Sequence, residues 1–316
     1  MSLISVVVPL YDEEGNVVEL LARISGVLER AVRERGDDYE IIAIDDGSHD
    51  RTLTALREAQ AGQPRLVVVS LSRNFGHQIA ATAGLDIARG DAVVLIDGDL
   101  QDPPELIEAF LDKWRAGYDV VYATRRSRKG ESFFKVFTAR AFYRVIRRLT
   151  KVSIPLDTGD FRLMDRRVVD ALGQTRERHR FLRGLVSWVG FKQIGVEYER
   201  DRRFSGSTKY PLSKMLRFAF DGIASFSEIP LRFATYFGFV VSAFAFVYTV
   251  VVLALKLAGM NEPGYTSMMV AILFLGGVQL LGIGILGEYV GRIYDQVKGR
   301  PLYLIASVER SEVVSK

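Results

Sequence analysis

The sequence contains no cysteine. That absence excludes a disulfide framework, a thiolate zinc site and a thiol nucleophile, and it leaves the redox compartment unreadable. Histidine is scarce, and His49, His77 and His179 lack metal-ligand spacing, so they read as turn or helix-end residues. There is no internal repeat, no low-complexity linker and no basic leader with a small-residue cleavage site before the apolar start, so the N-terminus does not read as a signal peptide. A Gly-x-Gly-x-x-Gly turn after the first strand is also missing. Pro9-Leu10-Tyr11 stands there instead, against a dinucleotide-dependent oxidoreductase.

Charge is absent from two stretches. Residues 233–255 and 263–287 carry no Asp, Glu, Lys or Arg, and each is long enough to cross a bilayer as a helix. Soluble core helices rarely run past about 20 residues without a charge, so two membrane spans are expected. Arg232 precedes the pair, and Arg292, Lys298 and Arg300 follow it. By the positive-inside rule both outer flanks, and with them the catalytic domain, face the cytoplasm, and the connection over 256–262 lies outside.

The net charge of +4 is too modest to call for nucleic acid. The basic residues nevertheless cluster. Residues 125–151 hold ten of them against one acid, threaded with Phe133, Phe134, Phe137, Phe142, Val145 and Ile146, a pattern for an amphipathic helix on an anionic membrane surface. Residues 211–228, with Leu212, Met215, Leu216, Ala219, Phe220 and Ile223 at helical spacing, form a second such segment leading into the first span.

The first part of the chain alternates strand-length apolar runs (4–8, 41–44, 66–69, 93–96, 120–122) with helix-periodic segments (17–33, 52–59, 78–88, 104–115). That is the pattern of an open, mainly parallel α/β sheet, whose ligands bind beyond the carboxyl ends of the strands. Polar and acidic residues follow each strand there. Asp97-Gly98-Asp99 can present two hard carboxylates to Mg²⁺ or Mn²⁺ and leave coordination positions open for a diphosphate. Alone, such a triplet is equally a polar turn capping the next helix. Asp45-Asp46-Gly47-Ser48 reads as a capped turn with Asp46 facing ligand. Pro9-Leu10-Tyr11-Asp12-Glu13 offers an aromatic face and acids for a base.

Together with Ser72-Arg73-Asn74-Phe75-Gly76-His77-Gln78, Leu100-Gln101-Asp102-Pro103-Pro104-Glu105, Gly206-Ser207-Thr208-Lys209-Tyr210 and Gly287-Glu288-Tyr289-Val290-Gly291-Arg292-Ile293-Tyr294, these motifs resemble glycosyltransferase family 2 over nearly the whole chain. Within it they resemble the polyprenyl-phosphate glycosyltransferases, of the bactoprenol glucosyltransferase and dolichol-phosphate mannose synthase type. Asp12 stands where Asn is usual, and Thr208 interrupts the commoner Ser-Lys-Tyr. Neither removes an expected metal ligand.

The resemblance implies a GT-A domain over 1–210, a juxtamembrane amphipathic helix over 211–229, two transmembrane helices over 230–290 and a cytoplasmic tail over 291–316. It implies inverting, Mg²⁺- or Mn²⁺-dependent transfer from a UDP-sugar, glucose first, to undecaprenyl or another polyprenyl phosphate at the cytoplasmic membrane. Pro9, Tyr11, Glu13, Asp46 and Gln78 would hold the nucleotide sugar, with Asp97, Gly98 and Asp99 around metal and diphosphate. Arg125, Arg203 and Lys209 would meet phosphates. Asp157 would stand opposite the leaving group. A homotetramer is implied as well, with a tail after Arg300 able to exchange between subunits. Other sugars (N-acetylhexosamine, galactose, mannose from a GDP donor, an aminoarabinose derivative) or an inactive membrane scaffold remain as alternatives. A processive synthase is disfavoured, because two spans give little channel and Gln-x-x-Arg-Trp is absent.

Overall fold

The computed structural model describes residues 1–125, 155, 158–198, 229–258 and 264–310. Asp157, Arg203, Lys209, the Arg125 side chain, residues 126–151 and the segment 211–228 lie outside them. The chain divides into two compact units, one within Met1–Arg147, Val152–Met215 and Arg300–Lys316, the other within Arg148–Lys151 and Leu216–Gly299.

The first unit is built on β1 (Leu3–Leu10), β2 (Asp38–Asp45), β3 (Leu66–Leu71) and β4 (Ala92–Leu95), with α1 (Val17–Arg35), α2 (Thr52–Gly62) and α3 (His77–Ile87) between them. These strands read as unbroken apolar runs because both faces are covered, and every residue of β3 and β4 is buried. On α1 the buried Val17, Leu20, Leu21, Ile24, Val27, Leu28 and Ala31 fall at three- and four-residue spacing, one stripe facing the sheet. Each fully buried Leu or Ile contributes roughly 1.5–3 kcal/mol, so this stripe, more than helix propensity, fixes the helix. A buried polar bond locks the opposite end of β1, where Ser5 Oγ donates to Glu40 Oε1 at 2.6 Å and accepts from Gly90 N–H at 2.8 Å.

Past α4 (Leu106–Arg115) come β5 (Val120–Arg125), β6 (Thr158–Asp165), α5 (Arg166–Gln174), α6 (Leu182–Trp188), β7 (Gln193–Tyr198) and, far downstream, β8 (Ile305–Glu309). The strand order among the described residues is β7-β5-β6-β4-β1-β2-β3-β8. β1, β2, β3 and β4 run parallel, as does β5 with β7. β6 is antiparallel to both β4 and β5, and β8 to β3. The sheet is thus mixed, and β6, β7 and β8 are strands that hydropathy did not announce. β6 carries Asp160 and Arg162 at its buried centre, which hides its apolar character, and the edge strand β8 stays half exposed. Because β6 runs backwards, its first residues arrive beside the carboxyl end of β4. Phe161 on this strand packs against Phe110 of α4, ring centroids 4.8 Å apart.

The second unit contains α7 (Ile229–Leu257) and α8 (Tyr265–Val297), which contact each other. At 1.5 Å per residue they are about 44 and 50 Å long, more than the roughly 30 Å of a hydrocarbon core. Phe239, Phe244, Leu280 and Leu281 are all more than 70% exposed. An apolar surface this continuous calls for lipid or a partner to cover it, and both helices hold candidate membrane spans, Ala234–Val251 and Val270–Val297. α8 continues past Gly287, where the uncharged run ends, and there Arg292 Nε donates to Glu288 Oε1 at 2.9 Å, the pairing expected from their helical spacing.

Candidate active site

The carboxyl ends of β1, β2, β3 and β4 bring the acidic loops together with the start of β6. After β4 the chain turns through Asp97, Gly98, Asp99 and Leu100. Gly98 is required there, since a Cβ would lie 2.4 Å from Leu10 Cδ2 and 3.3 Å from the Pro9 carbonyl oxygen. Leu100, buried, has φ +57°, a left-handed conformation that costs a bulky residue of order 1–3 kcal/mol. The turn is held against its local preference by the packing around it. Asp99 Oδ1 accepts from Gln101 N–H at 3.2 Å.

Asp97 faces two other titratable groups. His77 Nε2, at the first residue of α3, lies 3.2 Å from Asp97 Oδ1 and 3.4 Å from Asp160 Oδ2. One candidate ligand atom from each of the three sits within 4.8 Å of the others. Burial works to keep the His77 ring neutral, but the charge of Asp97, with Asp160 beside it, outweighs that and holds its pKa well above the ordinary histidine value. His77 is therefore a cation at neutral pH. Its expected role as a helix-end residue holds, and its exclusion from metal-binding geometry does not, because residues far apart in sequence supply the other donors.

Asp160 is buried, and burial alone would raise its pKa. Arg183 and His77 outweigh that and hold it well below the usual carboxylate range. Arg183 Nε donates to Asp160 Oδ1 at 2.7 Å, and its Nη2 to Oδ2 at 3.3 Å. Gln78 Nε2 donates to Oδ2 at 3.0 Å, while Gln78 Oε1 accepts from Leu182 N–H at 3.0 Å. Arg162 is also buried, and burial pulls its pKa down to about 10. Its Nη2 donates to the Gly159 carbonyl at 2.9 Å and lies 3.9 Å from Asp160 Oδ1.

The donor chemistry fits a divalent cation at Asp97. Its Oδ1 is buried and accepts no hydrogen bond among the described residues, leaving a hard, charged oxygen available. Asp160 fits less well, since both its oxygens already accept from Arg183 and one also from Gln78.

The other loops are tied differently. Asp46 accepts from Phe75 N–H at 2.8 Å and Gly76 N–H at 2.9 Å, one on each oxygen, and burial pushes its pKa up against those bonds. Gly47, at φ +67°, lets the two loops meet, because a Cβ there would lie 2.5 Å from the Arg73 carbonyl carbon. Asp12, at φ +52°, accepts from His49 N–H at 2.8 Å while its own N–H donates to Ser48 Oγ at 3.1 Å. Tyr11 is exposed, with the His49 ring edge-on at 6.2 Å. Glu13 Oε2 accepts from Asn16 Nδ2 at 2.5 Å.

The chain belongs to glycosyl transferase family 2, whose sequence profile matches residues 5–173, and it is a glycosyltransferase of GT-A fold. The GtrB C-terminal hairpin profile matches residues 229–293. The uncharacterized glycosyltransferase YkcC of Bacillus subtilis is 51% identical over 302 residues, 95% of this chain and 92% of that protein. The prophage bactoprenol glucosyl transferase homolog of Escherichia coli K12 is 42% identical over 97% of this chain and 99% of its own length. The bactoprenol glucosyl transferase of Shigella phage SfII is likewise 42% identical, over 97% and 98%. Among solved structures, glucosyl-3-phosphoglycerate synthase from Mycobacterium tuberculosis in complex with phosphoglyceric acid is 23% identical, covering 71% of this chain and 78% of that one at a TM-score of 0.47.

Of the residues singled out in the sequence, the structure places Pro9, Tyr11, Glu13, Asp46, Gln78, Asp97, Gly98 and Asp99 along one edge of the sheet. Sequence reasoning passed over His77, Asp160, Arg162 and Arg183. The first three lie inside motifs already quoted, so proximity to Asp97 was the missing information. Arg183 carries no local signal at all.

Proposed function

We propose that the protein transfers a glucosyl group from UDP-glucose to a polyprenyl phosphate, with inversion at the anomeric carbon, at the cytoplasmic face of the membrane. The observation that carries this reading is the buried, hydrogen-bond-free Asp97 oxygen on a strained Asp-x-Asp turn at the strand ends. The choice of glucose and of a polyprenyl acceptor is supported by the relatives named bactoprenol glucosyl transferases, and the lipid phase by the two long apolar helices.

Asp97 and Asp99 would hold a divalent cation, Mg²⁺ or Mn²⁺, which supplies charge neutralisation for the leaving diphosphate. Pro9, Tyr11 and Glu13 would seat the base and ribose at the end of β1, and Asp46 would shape the facing loop. Gln78 acts through Asp160, since both ends of its amide are engaged with protein. A lipid phosphate has its second pKa near 6, so it reaches the site already charged and needs little help from a base. An acceptor oxygen attacks the anomeric carbon, the bond from that carbon to the diphosphate oxygen breaks, and UDP leaves with the electron pair. Catalysis then rests on alignment and on screening two anions from one another, with Arg125, Arg203 and Lys209 meeting phosphates and Asp157 orienting the acceptor.

The test is transfer of labelled sugar from a panel of UDP and GDP donors to undecaprenyl phosphate by the full-length protein, with Mn²⁺ or Mg²⁺ and then with chelator. A lipid-linked product from UDP-glucose, lost with chelator, is the expected result. Product from a different donor alone would replace the sugar, and none from any donor would remove the reading.

A further inference from the structure

We propose that the segment leaving the second apolar helix, residues 300–309, is a positioning strap for the donor site, ordering the loop Ser72-Arg73-Asn74-Phe75-Gly76 and helix α3 behind it. This rests on the reading that the strand-end loops bind the nucleotide sugar. β8 adds to the edge of β3 with Val68 opposite Glu309, Val69 opposite Val308, Ser70 opposite Ser307 and Leu71 opposite Ile305, the register shifting between Ser70 and Leu71. Such a shift bends a strand and re-aims the chain beyond it. The loop begins directly past this bend, and its first amide, Ser72 N–H, donates to the Leu304 carbonyl at 2.9 Å.

The same segment grips α3 from its far end. Tyr303 Oη donates to Asp86 Oδ2 at 2.8 Å, and Arg176 Nη1 donates to the same oxygen at 2.7 Å. Arg178 Nη1 reaches the Arg300 carbonyl at 3.2 Å. At the other end of β8, Gln60 Nε2 bridges the carbonyls of Leu66 and Glu309, at 2.9 and 2.8 Å. Asp86 lies on the helix that begins with His77 and Gln78, so the strap holds both the entry to the loop and the helix that ends it. On the inner side only Asp46, through Phe75 N–H and Gly76 N–H, and the close approach of Gly47 fix the loop. An edge strand has no need of such contacts merely to protect the sheet, for which a charge or a bulge suffices.

A chain ending at Gly299 and the full-length Tyr303→Phe variant test this by hydrogen exchange and by separate KM values for UDP-glucose and undecaprenyl phosphate. In the shortened chain the Phe75 and Gly76 amides should exchange faster while Val6, Val7 and Val8 in β1 stay protected. KM for UDP-glucose should rise about tenfold, as for the loss of one or two ordering hydrogen bonds, with that for the lipid unchanged. Tyr303→Phe should raise the same KM about threefold. Unchanged protection at Phe75 and Gly76, equal loss of protection in β1, or parallel rises in both KM values would overturn the strap. Faster loop exchange in a protein that does not use UDP-glucose when intact would instead overturn the donor reading and leave the loop-ordering role standing.

Discussion

Along the functional edge of the sheet, the loops after β1, β2 and β3 use their carboxylates in one way and the groups around β4 and β6 in another. On the first side the partners are mostly main chain. Asp46 takes two amide N–H groups, Asp45 Oδ1 accepts from Ser48 N–H at 3.2 Å, and Asp50 accepts from Thr52 N–H and Glu14 N–H. On the second side the partners are charged side chains, with Asp97 and Asp160 facing His77, Arg183 and Arg162. A carboxylate saturated by amides defines the shape of a loop. One balanced by cations keeps charge in place and, at Asp97, leaves a buried oxygen for a ligand. The difference separates a side that shapes the cleft from a side that handles charge.

The largest way to sharpen this contrast is Asp97→Asn, which should cut transfer about a thousandfold while leaving the thermal midpoint close to wild type, since no hydrogen bond to Oδ1 is lost. A similar fall in the melting temperature would place Asp97 among the structural carboxylates. Asp160→Ala should do the reverse. It strands Arg162, and Arg183 loses its partner, at a cost of about 3–5 kcal/mol measurable by denaturant titration of the detergent-solubilised protein. On the shaping side Gly47→Ala should cost about 1–3 kcal/mol, from a positive φ and a Cβ driven into the Arg73 backbone, and should weaken UDP binding by calorimetry.

The smallest effect belongs to a carboxylate away from both sides. Asp165 accepts from Trp114 Nε1 at 2.9 Å and caps α5 through Arg167 N–H at 3.0 Å. Burial alone would raise its pKa, but these bonds and the Arg167 charge hold it below the ordinary aspartate value. Its contribution is therefore present above the unfolded-state pKa, about 4, and is lost as pH falls through the lower folded value. Asp165→Asn should reduce stability slightly at neutral pH and converge with wild type near about pH 3, followed by Trp114 fluorescence.

Much of this was legible in the sequence, unevenly and for identifiable reasons. β1 to β4 announce themselves because strands covered on both faces must be apolar throughout. The two long helices announce themselves because lipid tolerates no charge. Asp97 and Asp99 were found because their turn follows a buried strand. β6 stayed hidden because its buried centre is an ion pair, and β8 because an edge strand attached after a membrane hairpin has neither length nor hydrophobicity to mark it. Asp160 and His77 meet only after β6 inserts between β4 and β5, a long-range pairing that no local pattern encodes.

The most direct single test is a comparison of Asp97→Asn and Asp46→Asn in UDP-glucose transfer to undecaprenyl phosphate, with kcat and the donor KM measured separately for each. The account predicts that Asp97→Asn lowers kcat with little change in KM, whereas Asp46→Asn raises the donor KM and largely spares kcat. The opposite assignment, or equal effects of both on kcat, would contradict a division of this edge into one side that shapes and one side that reacts.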